Sequence, residues 1–281
     1  LRELLLDTVT RQLSADVPLC TFLSGGLDSS VVTAIAAKHL EQQGKTLSTY
    51  SFEFEGNEEF FTPSLFQPDR DQNWALKVSD TLGTDHRTLL CDNRQLADSL
   101  NEAVLAKDLP GMADVDGSLL HFCRLVKQRH TVALCGECAD EIFGGYPWFH
   151  RREMYDGTHF PWSNNLDQRG GLLKPELRQA LGLEEYVSAR LEESLSAMPT
   201  LPGETAEQVR IRQLSWLNIH WFMATLLDRK DRCSMWSGLE VRVPYADHRI
   251  AQYVFNTPWE YKCHLGESKS LLRDAAEGLL P

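Results

Sequence analysis

The 281-residue chain has no apolar run approaching the roughly 18 residues that a membrane span requires. Glu3 and Asp7 interrupt the apolar residues of the N-terminal stretch, which argues against a secretory signal. Positive charge is scarce: 28 Lys and Arg stand against 40 Asp and Glu, a formal net charge of -12. Binding nucleic acid through its phosphates needs clustered surplus Lys and Arg, so the chain is a poor candidate for that function class. Any anionic substrate must then be met by local positive groups or a bound metal ion. The cysteines are seven, an odd number scattered along the chain, and form no disulfide framework. They read as reduced thiols of a cytosolic protein. A Walker A loop is also missing. Gly44-Lys45-Thr46 has the right ending, but His39 stands where the first glycine belongs, and the run follows a helix instead of opening one.

What is present is an ordinary globular mix, 42% hydrophobic and 24% charged, in a chain long enough to bury a substantial core. Leu1, Leu5, Val9 and Leu13 keep helical spacing. Val17 to Leu23 is a nearly continuous apolar run, as a buried parallel strand requires. Ser24-Gly25-Gly26 breaks it, and Leu27 to Gln43 reads as a helix closed by Gly44. Further strands are expected at Leu47 to Glu55, Arg87 to Leu90 and Thr131 to Leu134. Helices are expected at Gln72 to Leu82, Arg94 to Ala106 and Ser118 to Arg129, the second opened by an Asp92/Gln95 capping box. Asn57 to Asp71 reads as a loop. This alternation predicts an α/β fold, a parallel sheet with helices on both faces. Composition shifts after about Tyr146. Residues 155–175 are irregular, and Thr205 with Gln208 signals a long helix to about Leu227. The expected division is a sheet domain over 1–150 and a helical part over 151–281, packed as one body.

Ser24-Gly25-Gly26-Leu27-Asp28-Ser29-Ser30 lies between a predicted strand and a predicted helix. Paired glycines let backbone N–H groups turn tightly toward an anion, and the helix N-terminus adds roughly +0.5 charge. Asp28 is unsuited to touch phosphate and suits a magnesium ion that bridges to it. The motif Ser-Gly-Gly-x-Asp-Ser resembles the pyrophosphate (PP) loop of the ATP pyrophosphatases, whose fold is adenine-nucleotide-hydrolase-like. That resemblance implies cleavage of ATP between its α- and β-phosphates, and several synthetases share it.

A second loop follows the fourth expected strand: Cys135-Gly136-Glu137-Cys138-Ala139-Asp140-Glu141-Ile142-Phe143-Gly144-Gly145-Tyr146. Crowded carboxylates are costly without a cation, and the carboxyl ends of parallel strands are where ligands bind. The segment resembles the Ser-Gly-Glu-Gly-Ser-Asp-Glu-x-Phe-Gly-Gly-Tyr motif of the glutamine-hydrolysing asparagine synthetases. The likeness continues through Asp231 to Met235, Leu239 to Asp247 and Gly266 to Arg273, in the family's order. It covers the synthetase half only. The family's N-terminal glutaminase domain is not in this sequence, which reads as part of a longer protein.

Carried over by position, the resemblance implies that Ser24, Gly25, Gly26, Asp28, Ser29 and Gly136 hold the ATP pyrophosphate. It makes Asp28 and Asp140 magnesium ligands, with Asp140 also counted among the catalytic residues. Glu137 is implied at the reacting centre near the incoming ammonia, Lys269 against the charge of the leaving pyrophosphate, and Phe22 and Phe54 around adenosine. The implied reaction forms β-aspartyl-AMP from aspartate and MgATP, then asparagine by ammonia attack, with the glutaminase domain as partner. A β-lactam synthetase or peptide cyclase acceptor and a tRNA-modifying enzyme remain as alternatives on the same loop. Arg232 and Arg242 stay open between structural and substrate roles, and the oligomeric state, a homodimer included, stays open too. Cys135-Gly-Glu-Cys138 is also a C-x-x-C, a motif that elsewhere holds metal or does redox chemistry. Three departures stand out: Cys135 in place of Ser, Cys138-Ala139 in place of Gly-Ser or Gly-Gly, and Tyr245-Ala246 in place of Phe-Leu. The second predicts strain if the turn needs positive φ at residue 138.

Overall fold

The computed structural model describes residues 1–64, 69–163 and 165–280. Helix α1 (Arg2–Gln12) leads into β1 (Leu19–Phe22), α2 (Leu27–Glu41), β2 (Ser48–Phe54), a short α3 (Asn57–Phe60) and α4 (Asp71–Leu82). Then come β3 (Asp85–Cys91), α5 (Asn93–Lys107), α6 (Asp114–Lys127), β4 (Val132–Leu134), α7 (Ala139–Phe143) and α8 (Pro147–His150). The remainder holds α9 (Leu166–Gly170), α10 (Pro175–Leu181), α11 (Leu183–Ser196), α12 (Ala206–Leu217), α13 (Ala224–Trp236), β5 (Glu240–Arg242), α14 (His248–Phe255), α15 (Trp259–Lys262) and α16 (Ser270–Ala275).

The five strands form one parallel sheet in the order β3-β2-β1-β4-β5. Strand residues alternate between two cores, as a period of two dictates. Val132 and Leu134 join Val31, Ile35, Ile142 and Ile250 on one face. Cys20 and Ala133 join Phe122, Cys123 and Val126 on the other. Both expected capping boxes are formed, at Asp92/Gln95 and at Thr205/Gln208.

Four expectations need correcting. Part of the expected loop at 57–71 is helical at Asn57–Phe60, and residues 65–68 of that reading lie outside the described residues. Helix α6 begins at Asp114, earlier than expected, because Gly117 is accommodated inside it. The helix after Thr205 does not stop near Leu227. It runs through a π-helical stretch, Asn218–Met223, into α13 and ends at Trp236. The sheet is not confined to the first 150 residues, since β5 pairs with β4 in the register Val132↔Glu240. Three residues are too few for an alternation signal to show.

Asp247 locks the last helices onto the first. Its Oδ1 accepts from the Arg249 backbone N–H at 2.8 Å, and the Thr8 hydroxyl of α1 donates to Oδ2 at 3.0 Å. The Arg249 guanidinium beside it holds the carboxyl well below its ordinary value of 3.8. A depressed carboxylate stabilises the fold above its unfolded value and loses that contribution as pH falls below it. Asp247→Asn is therefore expected to cost about 1–3 kcal/mol at pH 7. The gap from the parent protein should close as the pH drops below that ordinary value, which urea unfolding at pH 7 and pH 3 measures.

Candidate active site

The strand order reverses direction between β1 and β4, and ligands of open parallel sheets bind at that switch, beyond the carboxyl ends of the strands. Both glycine-containing loops begin there, one after Phe22 and one after Leu134. The fold thus brings together two segments more than a hundred residues apart.

In the first loop Gly25 has φ +88°, and a Cβ there would overlap the backbone of Trp74 and Ala75 at the start of α4. Only glycine meets both demands. Gly26 is extended and caps α2. The Ser29 hydroxyl donates to Gly26 O at 3.2 Å and lies 3.0 Å from the Ser24 hydroxyl, so the two serines tie the loop to the first turn of α2. Ser30 Oγ is buried without a hydrogen-bond partner.

The second loop rests on the first. A Cβ on Gly136 would lie 2.6 Å from Ser29 N and 2.8 Å from the Asp28 carbonyl carbon. Cys138 has φ +75°, so the strain expected from replacing glycine is present, and the buried side chain is held within the main core. Further on, a Cβ on Gly145 would overlap the Asp140 carboxylate and Lys269 Cε, which accounts for the glycine in Gly-Gly-Tyr.

Lys269, itself at φ +56°, reaches across from the start of α16. Its Nζ donates to Asp28 Oδ2 at 2.6 Å and contacts Asp140 Oδ1 at 2.5 Å. Burial raises the Asp28 carboxyl to about 6, against the opposing pull of Lys269 and with help from Asp140. For Lys269 burial acts downward, but the two carboxylates outweigh it and its ammonium is stabilised. The Tyr245 hydroxyl, where the resembling family carries phenylalanine, donates to the Asp28 backbone O at 3.1 Å.

Glu137 faces two cations that the sequence reading did not single out. Arg229 Nη2 donates to its Oε1 at 3.1 Å, and Lys230 Nζ lies 3.3 Å from Oε2. Both lie on α13, just before the Asp231 to Met235 motif; the adjacent Arg-Lys pair was the available signal. Lys230 also sits 5.6 Å from the Phe22 ring centroid. Phe22 packs on Phe122 with centroids 4.7 Å apart, while Phe54 meets Phe52 at 5.2 Å. The two expected adenosine residues are thus linked through Phe52 and Phe122, and Phe54 stays partly exposed.

Arg232 and Arg242 both have partners within the chain. Arg232 pairs with Asp228 and Asp108 at the surface, and Arg242 Nη1 donates to Gln12 O at the end of α1 and to Ser14 O just after it. Cys135 and Cys138 are both buried. Burial pushes the Cys135 thiol to about 11 and Cys138 higher still, whereas metal binding and redox exchange need the thiolate.

The donors present fit a magnesium ion. Two carboxylates share one ammonium, and Asp28 Oδ1 is buried without a hydrogen-bond partner. No group of three or more His, Cys, Asp and Glu able to hold a metal occurs among the described residues. An ion held by Asp28 and Asp140 would therefore draw its other ligands from phosphate oxygens and water, the usual pattern for magnesium.

A family model described as Asparagine synthase matches residues 1–281. The chain is 54% identical over 281 residues to asparagine synthetase (glutamine-hydrolyzing) 3 of Bacillus subtilis (strain 168), covering 100% of this chain and 45% of that protein. It is 28% identical over 310 residues to asparagine synthetase (glutamine-hydrolyzing) 1 of the same organism, covering 100% of this chain and 47% of that one. Asparagine synthetase (glutamine-hydrolyzing) of Asparagus officinalis is 31% identical over 199 residues, or 66% of this chain and 32% of its own length. The chain thus spans less than half the length of these relatives.

Proposed function

The chain belongs to the asparagine synthase family, and from that premise we propose that it is an ATP-dependent amide ligase that makes asparagine by way of β-aspartyl-AMP. The observation that carries the reading is Lys269 spanning Asp28 of the first loop and Asp140 of the second at the sheet's switch point. A lone phosphate loop has no need of that bridge. Residues 1–150 contribute both loops and 151–281 contribute Arg229, Lys230 and Lys269, so we treat the two parts as one synthetase unit.

In the proposed reaction the ATP phosphates lie on Ser24, Gly25, Gly26 and Ser29, at the N-terminus of α2. Gly136 keeps the second loop close enough to share them. Asp28 and Asp140 would hold a magnesium ion, which when bound would neutralise charge on the phosphate oxygens. A carboxylate oxygen of aspartate attacks the α-phosphorus. The bond from that phosphorus to its bridging oxygen breaks, and pyrophosphate leaves with Lys269 against its charge. Phe22 and Phe54 flank the adenosine. The ammonia lone pair then adds to the carbonyl carbon, the bond to the AMP oxygen breaks, and AMP carries away the electron pair. Glu137, ion-paired by Arg229 and Lys230, accepts a hydrogen bond from the incoming nitrogen and takes its surplus proton. We assign the activity to the cytoplasm, with a glutaminase domain as the source of ammonia.

The test is pyrophosphate release from MgATP across a panel of carboxylic acids with ammonium present. Release that depends on aspartate, with AMP and asparagine as products, is expected; release with another acid only would move the acceptor. Asp28→Asn is expected to abolish the release. Near-normal activity in that variant would show that the assignment of Asp28 to the metal is wrong.

A further inference from the structure

A small cavity, separate from the site shared by the two phosphate loops, lies beside α12 and α15. It measures about 160 Å³ and is bordered by Glu204, Gln208, Arg212 and Ser215 beside or on α12, and by Trp259 and Lys262 of α15. That volume is roughly the share of five liquid waters, far too small for a nucleotide.

The charges around it do not balance. Lys262 is only 3% exposed, and its Nζ donates to Val254 O at 3.0 Å. An ammonium has three donors, and a backbone carbonyl supplies no countercharge. Arg212 has its own partner, since its Nε donates to Glu204 Oε1 at 2.6 Å. Glu204 is committed twice, because its Oε2 accepts from the Leu201 backbone N–H at 2.9 Å. That carboxylate is taken up by Arg212 and the backbone, and Lys262 has no acidic partner among the described residues. Burial, and then Arg212, pull the Lys262 ammonium down to about 8, and no acidic group raises it. It is thus mainly charged at pH 7, and a buried charge without a counterion is costly. Ser215 is buried as well, and a hydroxyl can turn to donate.

We infer that this cavity is a binding site for a small monocarboxylate, whose single negative charge completes the pairing of Lys262. Arg212 and Lys262 select the charge, and the volume limits the size. Trp259 forms one wall, and the same ring stacks on Phe149 with centroids 5.7 Å apart. It also lies against Gly144 of the second loop, where an added Cβ would come within 2.6 Å of its Cζ3. The site thus backs directly onto the loop that carries Asp140.

The inference is tested without reference to catalysis, so its failure leaves the proposed reaction untouched. Thermal unfolding is followed at pH 7 and constant ionic strength in sodium acetate, sodium chloride and, as a neutral isostere, acetamide. Acetate is expected to raise Tm saturably, by about 2–4 °C at tenfold excess over its Kd. Chloride and acetamide should give no such rise. In Lys262→Met the acetate-specific rise should vanish. A flat acetate response in the parent protein overturns the site, as does an equal response to acetamide or a full response retained by Lys262→Met. If that variant does not fold, the acetate and acetamide comparison on the parent protein decides alone.

Discussion

Gly136→Ala is expected to lower pyrophosphate release by about ten- to a hundredfold, although it adds a single methyl group far smaller than the substrate. The reason is what that methyl would meet. Its nearest neighbours are backbone atoms, Ser29 N at 2.6 Å and the Asp28 carbonyl carbon at 2.8 Å. A flexible side chain could swing aside, but the first turn of a helix packed into the core cannot. Ser29 and Ser30 are buried, and α2 is buried along most of its length. The second loop must therefore move away from the first by several tenths of an ångström. Misplacement near 1 Å at a reacting centre costs on the order of 10²-fold in rate. Circular dichroism and Tm should show a folded protein, with the loss confined to turnover. A turnover within twofold of the parent protein would mean that the two loops do not act on one ligand.

Lys269→Met is expected to lower both stability and activity. The ammonium lies between two carboxylates, and methionine fills much of the same volume without charge. Removing one partner of a fully buried ionic cluster costs about 3–5 kcal/mol, and solvent around the half-exposed Asp140 brings the expected loss here to about 1–3 kcal/mol. Asp28 is the more buried of the two acids and is already pushed upward by burial with the lysine present. In the variant the carboxylates face each other alone. Magnesium chloride should recover part of the lost stability in the variant, measured by urea unfolding with and without the ion. The parent protein should gain less, since Lys269 already fills that role. Pyrophosphate release should fall by about 10²-fold or more in the variant at saturating MgATP. A variant as stable as its parent and indifferent to magnesium would remove Lys269 from the cluster.

The first phosphate loop was readable because local chemistry dictates it: an apolar run, two glycines and a helical pattern in immediate succession. Capping boxes are local in the same way, and both were placed correctly from four-residue patterns. Strain at Cys138 was also foreseeable, since a side chain stood where the resembling motif has glycine. The missing pieces are those that depend on distant segments. The hydrogen bond from Tyr245 to Asp28 joins residues 217 positions apart, and no periodicity encodes it. Strand β5 is held by its pairing with β4, not by its own three residues. Arg229 and Lys230 were passed over because the reading ended their helix near Leu227, before the turn that carries them.

That helix also bears on how its sequence can change over time. Between α12 and α13 the backbone widens into a π-helical stretch at Asn218–Met223. Before it, Ile211, Leu214 and Leu217 pack into the aromatic cluster around Trp148 and Phe149. After it, Arg229 and Lys230 meet Glu137. Such a widened turn holds one residue more than an α-helix of the same rise, and each residue advances an α-helix by about 100°. Losing a single codon within 218–223 would leave both flanking segments intact in composition. The turn would then close to an ordinary α-helix of the same rise, and the two cations would still face Glu137. The length of this turn can therefore change by one residue where the rest of the helix cannot, and descendants of this gene can lose one position between Leu217 and Ala224 while both flanking contacts stay.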